Sequence, residues 1–103
     1  MDKRLKHIDE AADAKARQAL YDGLRAGTLS LPQAIRAMRR ISHLTQAEFA
    51  AHRGVSVETL KLLERGQGNP TVETLNKIVS VFGLQVGLVA RPTKASRPAR
   101  AAD

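Results

Sequence analysis

The sequence of 103 residues contains no cysteine and no tryptophan, and its aromatic residues are two phenylalanines and one tyrosine. Without cysteine the chain has no disulfide and no thiolate for catalysis or metal binding, which fits a reducing compartment. With so few aromatic side chains, the core of one domain of this length has to be aliphatic. No apolar run approaches the roughly 20 residues of a membrane-spanning helix. No apolar h-region follows the basic N-terminus, so we expect no signal peptide.

The side chains that catalysis needs are scarce as well. The histidines are His7, His43 and His52, and none stands at metal-ligand spacing from another histidine or a carboxylate. Ser42 directly precedes His43, but a nucleophile and its base need a third group to orient them, and the sequence offers none beside this pair. We therefore expect no enzymatic activity, no metal and no cofactor.

Positive charge is in excess, with a formal net charge of +7 at pH 7. The excess lies between residues 31 and 66 and in residues 91–103. This balance favours a polyanionic partner, either nucleic acid or an anionic membrane surface. No predicted helix combines a large apolar face with a lysine-rich opposite face, which argues against a membrane surface. A basic surface that serves only solubility is the alternative.

Residues 44–66 have the pattern of two short helices joined by a tight turn. Thr45 is a helix N-cap, and Glu48 stands at the capping-box position three residues later. Gly54 allows the left-handed backbone of a turn, and Ser56 caps a second helix, which ends at a glycine. This is the pattern of a helix-turn-helix, whose second helix enters the major groove of DNA. The stretch therefore predicts a DNA-binding protein.

A helix of good helix-forming residues is predicted before this motif, over residues 10–26 with Asp9 as its N-cap. Its larger apolar side chains, Leu20, Tyr21 and Leu24, form a narrow stripe. Such a stripe suits a helix that docks on the rest of the protein, on a second copy, or on a partner protein.

Two more helices flank the motif. One begins after Ser30, with Gln33 at its capping-box position, and the other begins after Thr71 and continues to Phe82.

The period of the apolar residues changes at residues 84–90. Leu84, Val86 and Leu88 alternate with less apolar positions, which is typical of a strand. A single strand cannot satisfy its own backbone hydrogen bonds, so we expect it to pair with the same strand of a second copy as an antiparallel two-fold pair. An extended segment lying on the core is the alternative.

The expected organisation has four segments. They are an N-terminal helical extension (1–27), a helix-turn-helix DNA-binding domain (28–83), a dimerisation strand (84–91) and a disordered basic tail (92–103).

Several short motifs resemble the Xre, or phage-repressor-like (Cro/C1-type), helix-turn-helix family. They are Leu44-Thr45-Gln46-Ala47-Glu48, Gly54-Val55-Ser56, Leu60, Glu64-Arg65-Gly66, Pro70-Thr71 and Leu75-Asn76-Lys77-Ile78. The resemblance implies an all-α fold, a lambda-repressor-like bundle of about five helices, here with an N-terminal extra helix and a short C-terminal strand.

The strand makes the chain similar to HipB-type antitoxins, which are dimeric repressors whose C-terminal strands pair across the two-fold axis. This implies a cytoplasmic, nucleoid-associated homodimer that binds a palindromic operator on double-stranded DNA, represses its own operon and neutralises a kinase-like toxin. The N-terminal extension departs from that pattern. The alternatives are a stand-alone Xre-type repressor, or a toxin-binding protein whose N-terminal helix engages its partner.

The start of the second motif helix is the part expected to contact base pairs. Glu58 is suited to a cytosine amino group and Lys61 to guanine or a phosphate, whereas Val57 and Leu62 suit thymine methyl groups. Thr59 lies at the edge of this face. A solvated acid favoured by the helix dipole is the alternative for Glu58. Related phage repressors hold glutamine or serine at several of these positions, so shape readout is expected to carry part of the specificity.

The resemblance also implies residues that bind the DNA backbone. Gln46 binds phosphate in the family, and the loop after the second motif helix faces the backbone. Arg39 and Glu64 resemble a partly buried structural ion pair. The full set of predicted DNA contacts is Gln46, Ser56, Val57, Glu58, Thr59, Lys61, Leu62, Arg65, Gln67 and Asn69, with Arg53 as a further phosphate candidate.

Overall fold

The computed structural model describes residues 9–90. Over this range the chain forms five α-helices and one 3-10 helix, and no strand. The α-helices are α1 (Glu10–Ala26), α2 (Leu31–Ile41), α3 (Gln46–Arg53), α4 (Val57–Glu64) and α5 (Val72–Val79), and the 3-10 helix Ser80–Phe82 follows α5 directly. The predicted all-α bundle is confirmed. Within the same range, no helix has the length and apolarity needed to cross a membrane.

Each α-helix begins at a side-chain oxygen that accepts a hydrogen bond from the backbone N–H three residues later. The five N-caps are Asp9, Ser30, Thr45, Ser56 and Thr71. The capping boxes predicted at Ser30 and Thr45 are both present. These caps satisfy backbone donors that have no partner inside the helix, so the helix starts are determined locally by sequence.

The last helix ends earlier than the sequence indicated. The helical pattern up to Phe82 is divided into α5 and the 3-10 helix, whose tighter turn is common at helix ends. Gly83 ends the 3-10 helix in the left-handed conformation, with φ 71°.

One aliphatic core joins all the helices, and Phe49 and Phe82 are its only aromatic members within residues 9–90. Its buried members are Leu20, Ala34, Ile35, Met38, Ile41, Phe49, Ala50, Leu60, Leu63, Ile78, Val79 and Phe82. The apolar pattern of residues 44–66 predicts that Ala47 is buried between the two motif helices, but Ala47 is exposed. It precedes the buried Phe49 by two residues, which corresponds to a rotation of roughly 200° around α3.

Helix α1 packs against this bundle. Leu20 is only 2% exposed, and Tyr21 Oη donates a hydrogen bond to the Phe82 carbonyl oxygen at 2.7 Å. Near the N-terminal end of α1, Asp13 Oδ2 lies 2.8 Å from Nε2 of His43. The apolar stripe of α1 was expected to dock on the rest of the protein, on a second copy or on a partner protein. In the structure it docks on the rest of the protein. Leu20 is thereby unavailable to a partner protein.

Residues 84–90 carry no regular secondary structure in the single chain. Leu84 packs against the core, and the Val86 N–H donates to Asn76 Oδ1 at 2.8 Å. Beyond that point the chain leaves the core, and Leu88 is fully exposed. Pairing of Leu84, Val86 and Leu88 with a second copy stays a prediction, since a strand ladder needs a partner strand.

Three parts of the predicted organisation lie outside the described residues. They are the first eight residues of the N-terminal extension, residue 91 of the dimerisation strand, and the basic tail over 92–103.

Candidate nucleic-acid interface

The turn between α3 and α4 sets the angle of the two motif helices. Gly54 has φ 73°, and the Val55 N–H donates to the Ala50 carbonyl oxygen at 3.0 Å. Ala50 is 2% exposed, so a larger side chain there would overpack the core. The turn and the small buried residue together bring α4 onto α3.

Helix α4 divides cleanly into an inner and an outer face. Leu60, Leu63 and Glu64 are buried. The exposed residues of this helix, in contrast, are Glu58, Lys61 and Leu62. The outer face therefore carries three of the four side chains that the sequence assigned to base contacts.

Val57 differs from these three residues. Its side chain is only half-exposed and packs against the core. Part of the methyl surface expected to meet thymine is therefore used inside the protein.

Ser56 and Thr59 bond to each other at the start of α4. Ser56 Oγ accepts the Thr59 backbone N–H at 3.1 Å and donates to Thr59 Oγ1 at 2.9 Å. Both hydroxyls were predicted to contact DNA, and in the free protein they form the N-cap. Thr59 Oγ1 keeps its own hydroxyl hydrogen for an outside acceptor.

The carboxylate of Glu64 joins three helices. Its Oε2 accepts Arg39 Nε at 2.7 Å, and its Oε1 accepts Arg39 Nη2 at 3.0 Å. Oε1 also accepts Gln46 Nε2 at 3.1 Å. Because Arg39 lies on α2 and Gln46 on α3, this carboxylate positions the end of α4 against both. Arg39 and Glu64 are the pair that the sequence assigned to a structural role.

The electrostatics of Glu64 agree with this geometry. Burial opposes ionisation of the carboxyl, but hydrogen bonds from Arg39 and Gln46, and the charges of Arg39 and Arg36, outweigh it. The pKa of Glu64 therefore lies below its ordinary value. The hydrogen bond to Glu64 in turn raises the pKa of Arg39.

Arg36 is a contributor that the sequence reasoning missed. Its Nη1 donates to the backbone carbonyl oxygen of Glu64, which is one of the free carbonyls at the end of α4. The available signal was its position three residues before Arg39, on the same face of α2. The acceptor is a backbone atom, so no partner residue type in the sequence pointed to it.

Gln46 occupies the first position of α3, where it was predicted to bind phosphate. Its side-chain amide is held by Glu64, and the backbone N–H groups of Gln46 and Ala47 have no acceptor inside the helix. The N-terminus of a helix attracts anions because these N–H groups and the helix dipole point the same way. The geometry is thus suited to a phosphate oxygen.

Four of the predicted DNA contacts line one open cleft of about 120 Å³ between α4 and the following loop. They are Thr59, Leu62, Gln67 and Asn69. Gly68, with φ 85°, lies so close to α4 that a Cβ there would be 3.3 Å from Leu62 Cβ. Arg65 is exposed next to this cleft but does not line it.

Known proteins resemble the part of the chain that forms this interface. The family described as Helix-turn-helix matches residues 35–89. The uncharacterised HTH-type transcriptional regulator y4dJ of Sinorhizobium fredii is 41% identical over 56 residues, which cover 54% of this chain and 73% of that protein. No solved structure matches the chain. Helix α1 lies outside the residues that the family matches.

Proposed function

The chain belongs to the Helix-turn-helix family and is a DNA-binding transcriptional regulator, and from this premise we propose that it is a dimeric repressor that reads a palindromic operator. The observation that carries the proposal is the arrangement around Glu64. One buried carboxylate holds the exposed face of α4 beside Gln46 at the start of α3. A groove-binding face and a phosphate-binding helix end are thereby fixed relative to each other.

Backbone contacts supply most of the affinity in this proposal. In it, Gln46 and the α3 N-terminus bind one phosphate, and Arg65, Gln67 and Asn69 bind others. Each phosphate neutralised by an arginine or lysine steepens the salt dependence of the binding constant by a slope of about −0.9. Arg65 does so in each copy, whereas the uncharged Gln46, Gln67 and Asn69 do not, and binding is expected to weaken as salt increases.

Base recognition comes from the exposed residues of α4. Glu58 and Lys61 are the two charged side chains of its outer face, and a good polar base contact is worth roughly 1–3 kcal/mol of discrimination. Leu62 adds an apolar contact. Because few polar side chains can contact base edges, DNA shape contributes to operator recognition.

Gel shifts on a selected operator and on a scrambled duplex test these roles. Lys61→Ala is expected to change the preference between the two duplexes, and Gln46→Ala to weaken binding to both by the same factor. Arg25→Ala is the matched control for a lost positive charge, since Arg25 lies on α1 and pairs with Asp22 at the surface. A sequence-selective effect of Gln46→Ala would reverse the assigned roles.

The dimer in this proposal forms through residues 84–90. Leu88 and Val89 are 102% and 88% exposed in the single chain, and a second copy of the same segment would cover them. A two-fold dimer places its recognition helices about 34 Å apart, one turn of DNA. The operator is then a palindrome with that spacing.

The second candidate is an antitoxin that represses its own cytoplasmic toxin–antitoxin operon, and the exposed C-terminal segment is the feature it shares with that class. An alternative partner surface on α1 is disfavoured, because Leu20 is buried in the bundle. Co-purification with the product of the neighbouring gene, with and without nuclease treatment, separates an antitoxin from a stand-alone repressor. A footprint upstream of its own gene tests autoregulation.

A further inference from the structure

A second cleft lies between α1, α3 and the 3-10 helix, and its lining shares no residue with the predicted DNA contacts apart from Arg53. Its volume is about 250 Å³. Its apolar lining residues are Phe49, Phe82, Leu44 and Val81, and its basic ones include Arg17 and Arg53. The two phenylalanines are buried, so Leu44 and Val81 supply the accessible apolar surface. Arg53 is at the end of α3 opposite Gln46, seven residues away, or roughly 10 Å along the helix.

Both guanidinium groups lie over aromatic rings. The Cζ atom of Arg17 is 5.0 Å from the centroid of the Phe82 ring, and that of Arg53 is 5.8 Å from the Phe49 ring. Such stacking orients a planar guanidinium by its face and leaves the donors at its edge for another partner.

Neither arginine makes a hydrogen bond or an ion pair within residues 9–90. The Nε atom of Arg53 is moreover buried without an acceptor there. Buried donors are almost always satisfied in native proteins, so an orphaned one indicates an acceptor from outside residues 9–90. Among the described residues, no aspartate or glutamate lines the cleft to balance the two charges, and its other titratable residue is His52.

We propose that this cleft binds a small organic carboxylate, with its apolar body against Leu44 and Val81 and its carboxylate between Arg17 and Arg53. Guanidinium forks match the two oxygens of a carboxylate, and the apolar surface of Leu44 and Val81 favours a ligand with a hydrocarbon part over an inorganic anion. Since α1 supplies Arg17, the site exists only while the N-terminal helix is docked.

The site is tested by titrating the full chain with sodium benzoate at constant pH and ionic strength, followed by two-dimensional ¹H–¹⁵N NMR. Saturable shifts are expected at residues of the cleft, including Phe49 and Phe82. Inorganic phosphate is expected to bind at least about tenfold more weakly. Arg17→Gln is expected to weaken benzoate binding roughly tenfold or more, because a lost charge-assisted hydrogen bond amounts to about one decade of affinity.

Arg25→Gln, an exposed arginine on the same helix, is the matched control and is expected to keep the benzoate affinity. Arg17→Lys keeps the charge but not the planar fork, so its affinity should fall between the wild type and Arg17→Gln. Arg17 is exposed, and retained NMR signal dispersion would show that its variants are folded. Absence of saturation, an unchanged affinity in Arg17→Gln, or equal binding of phosphate would each overturn the proposal.

Discussion

Replacing Glu64 by glutamine removes the one negative charge that α2, α3 and α4 share. The glutamine keeps nearly the same shape but presents an amide NH2 to a guanidinium, where the carboxylate accepted two hydrogen bonds from Arg39 and one from Gln46. Arg36 also donates to the backbone at this position. The variant thus leaves two arginines close together without a compensating charge.

The expected loss follows from the burial of the pair. Glu64 has 4% and Arg39 has 20% of the side chain exposed, and removing one partner of a buried ion pair costs about 3–5 kcal/mol. Because the amide oxygen of glutamine still accepts one hydrogen bond, we expect a value near the lower limit, about 3 kcal/mol. For a domain of this size that corresponds to a decrease in melting temperature of roughly 12–24 °C.

Urea unfolding of Glu64→Gln and the wild type at pH 7 measures this difference. Glu73→Gln is the control, since Glu73 is an exposed glutamate in the first turn of α5 and should change stability by at most about 0.5 kcal/mol. The pH dependence identifies the cause. The pKa of Glu64 is lowered by folding, so its stabilisation is complete above the ordinary value of 4.5 and is lost as pH falls through the folded pKa.

The gap between the wild type and Glu64→Gln should accordingly narrow below pH 4.5. A gap that stays constant from pH 7 down to acid unfolding would refute the ion-pair explanation, and so would a loss no larger than that of the Glu73 control.

Three further changes test the fold and the dimer. Leu20→Ala should reduce the unfolding free energy by about 2–5 kcal/mol, because the residue is 2% exposed; a change under about 0.5 kcal/mol in urea unfolding would mean that α1 is not docked. Gly54→Ala should reduce the unfolding free energy by about 1–2 kcal/mol, because Gly54 has a φ of 73°, and Gly54→Asn should reduce it less. Equal melting temperatures for the wild type and the two variants would contradict a left-handed turn. Leu88→Asp should shift the protein to monomer in sedimentation and weaken operator binding, whereas an unchanged mass would exclude residues 84–90 from the dimer contact.

The sequence predicted the features that depend on neighbouring residues. The N-caps at Ser30 and Thr45 could be predicted because each combines a hydroxyl with a glutamine or glutamate three residues later. The turn at Gly54 is readable because few residues other than glycine adopt its backbone conformation at low cost. The division of α4 into an inner and an outer face follows from the helical period.

Features that depend on packing were harder to predict. Ala47 was wrongly expected to be buried because the exact rotation of a helix against its neighbours decides which small apolar residue is covered. Val57 is half-covered for the same reason. The bond from Arg36 to a backbone carbonyl has no complementary side chain in the sequence. The cleft between Arg17 and Arg53 depends on α1 docking on the bundle, and these residues lie 36 positions apart in the chain.

Because α4 has separate buried and exposed faces, substitutions on its exposed face are expected to leave the fold intact. Its buried residues are Leu60, Leu63 and Glu64, and Val57 packs partly against the core, whereas Glu58 and Lys61 are exposed. In the proposed function, mutations at the outward positions would alter operator preference with little penalty in folding, since the effects of surface changes on stability are usually small. The same proposal implies that the operator could be changed one substitution at a time while the Glu64 carboxylate keeps α4 in place against α2 and α3. Orthogonal regulators can be engineered by the same route.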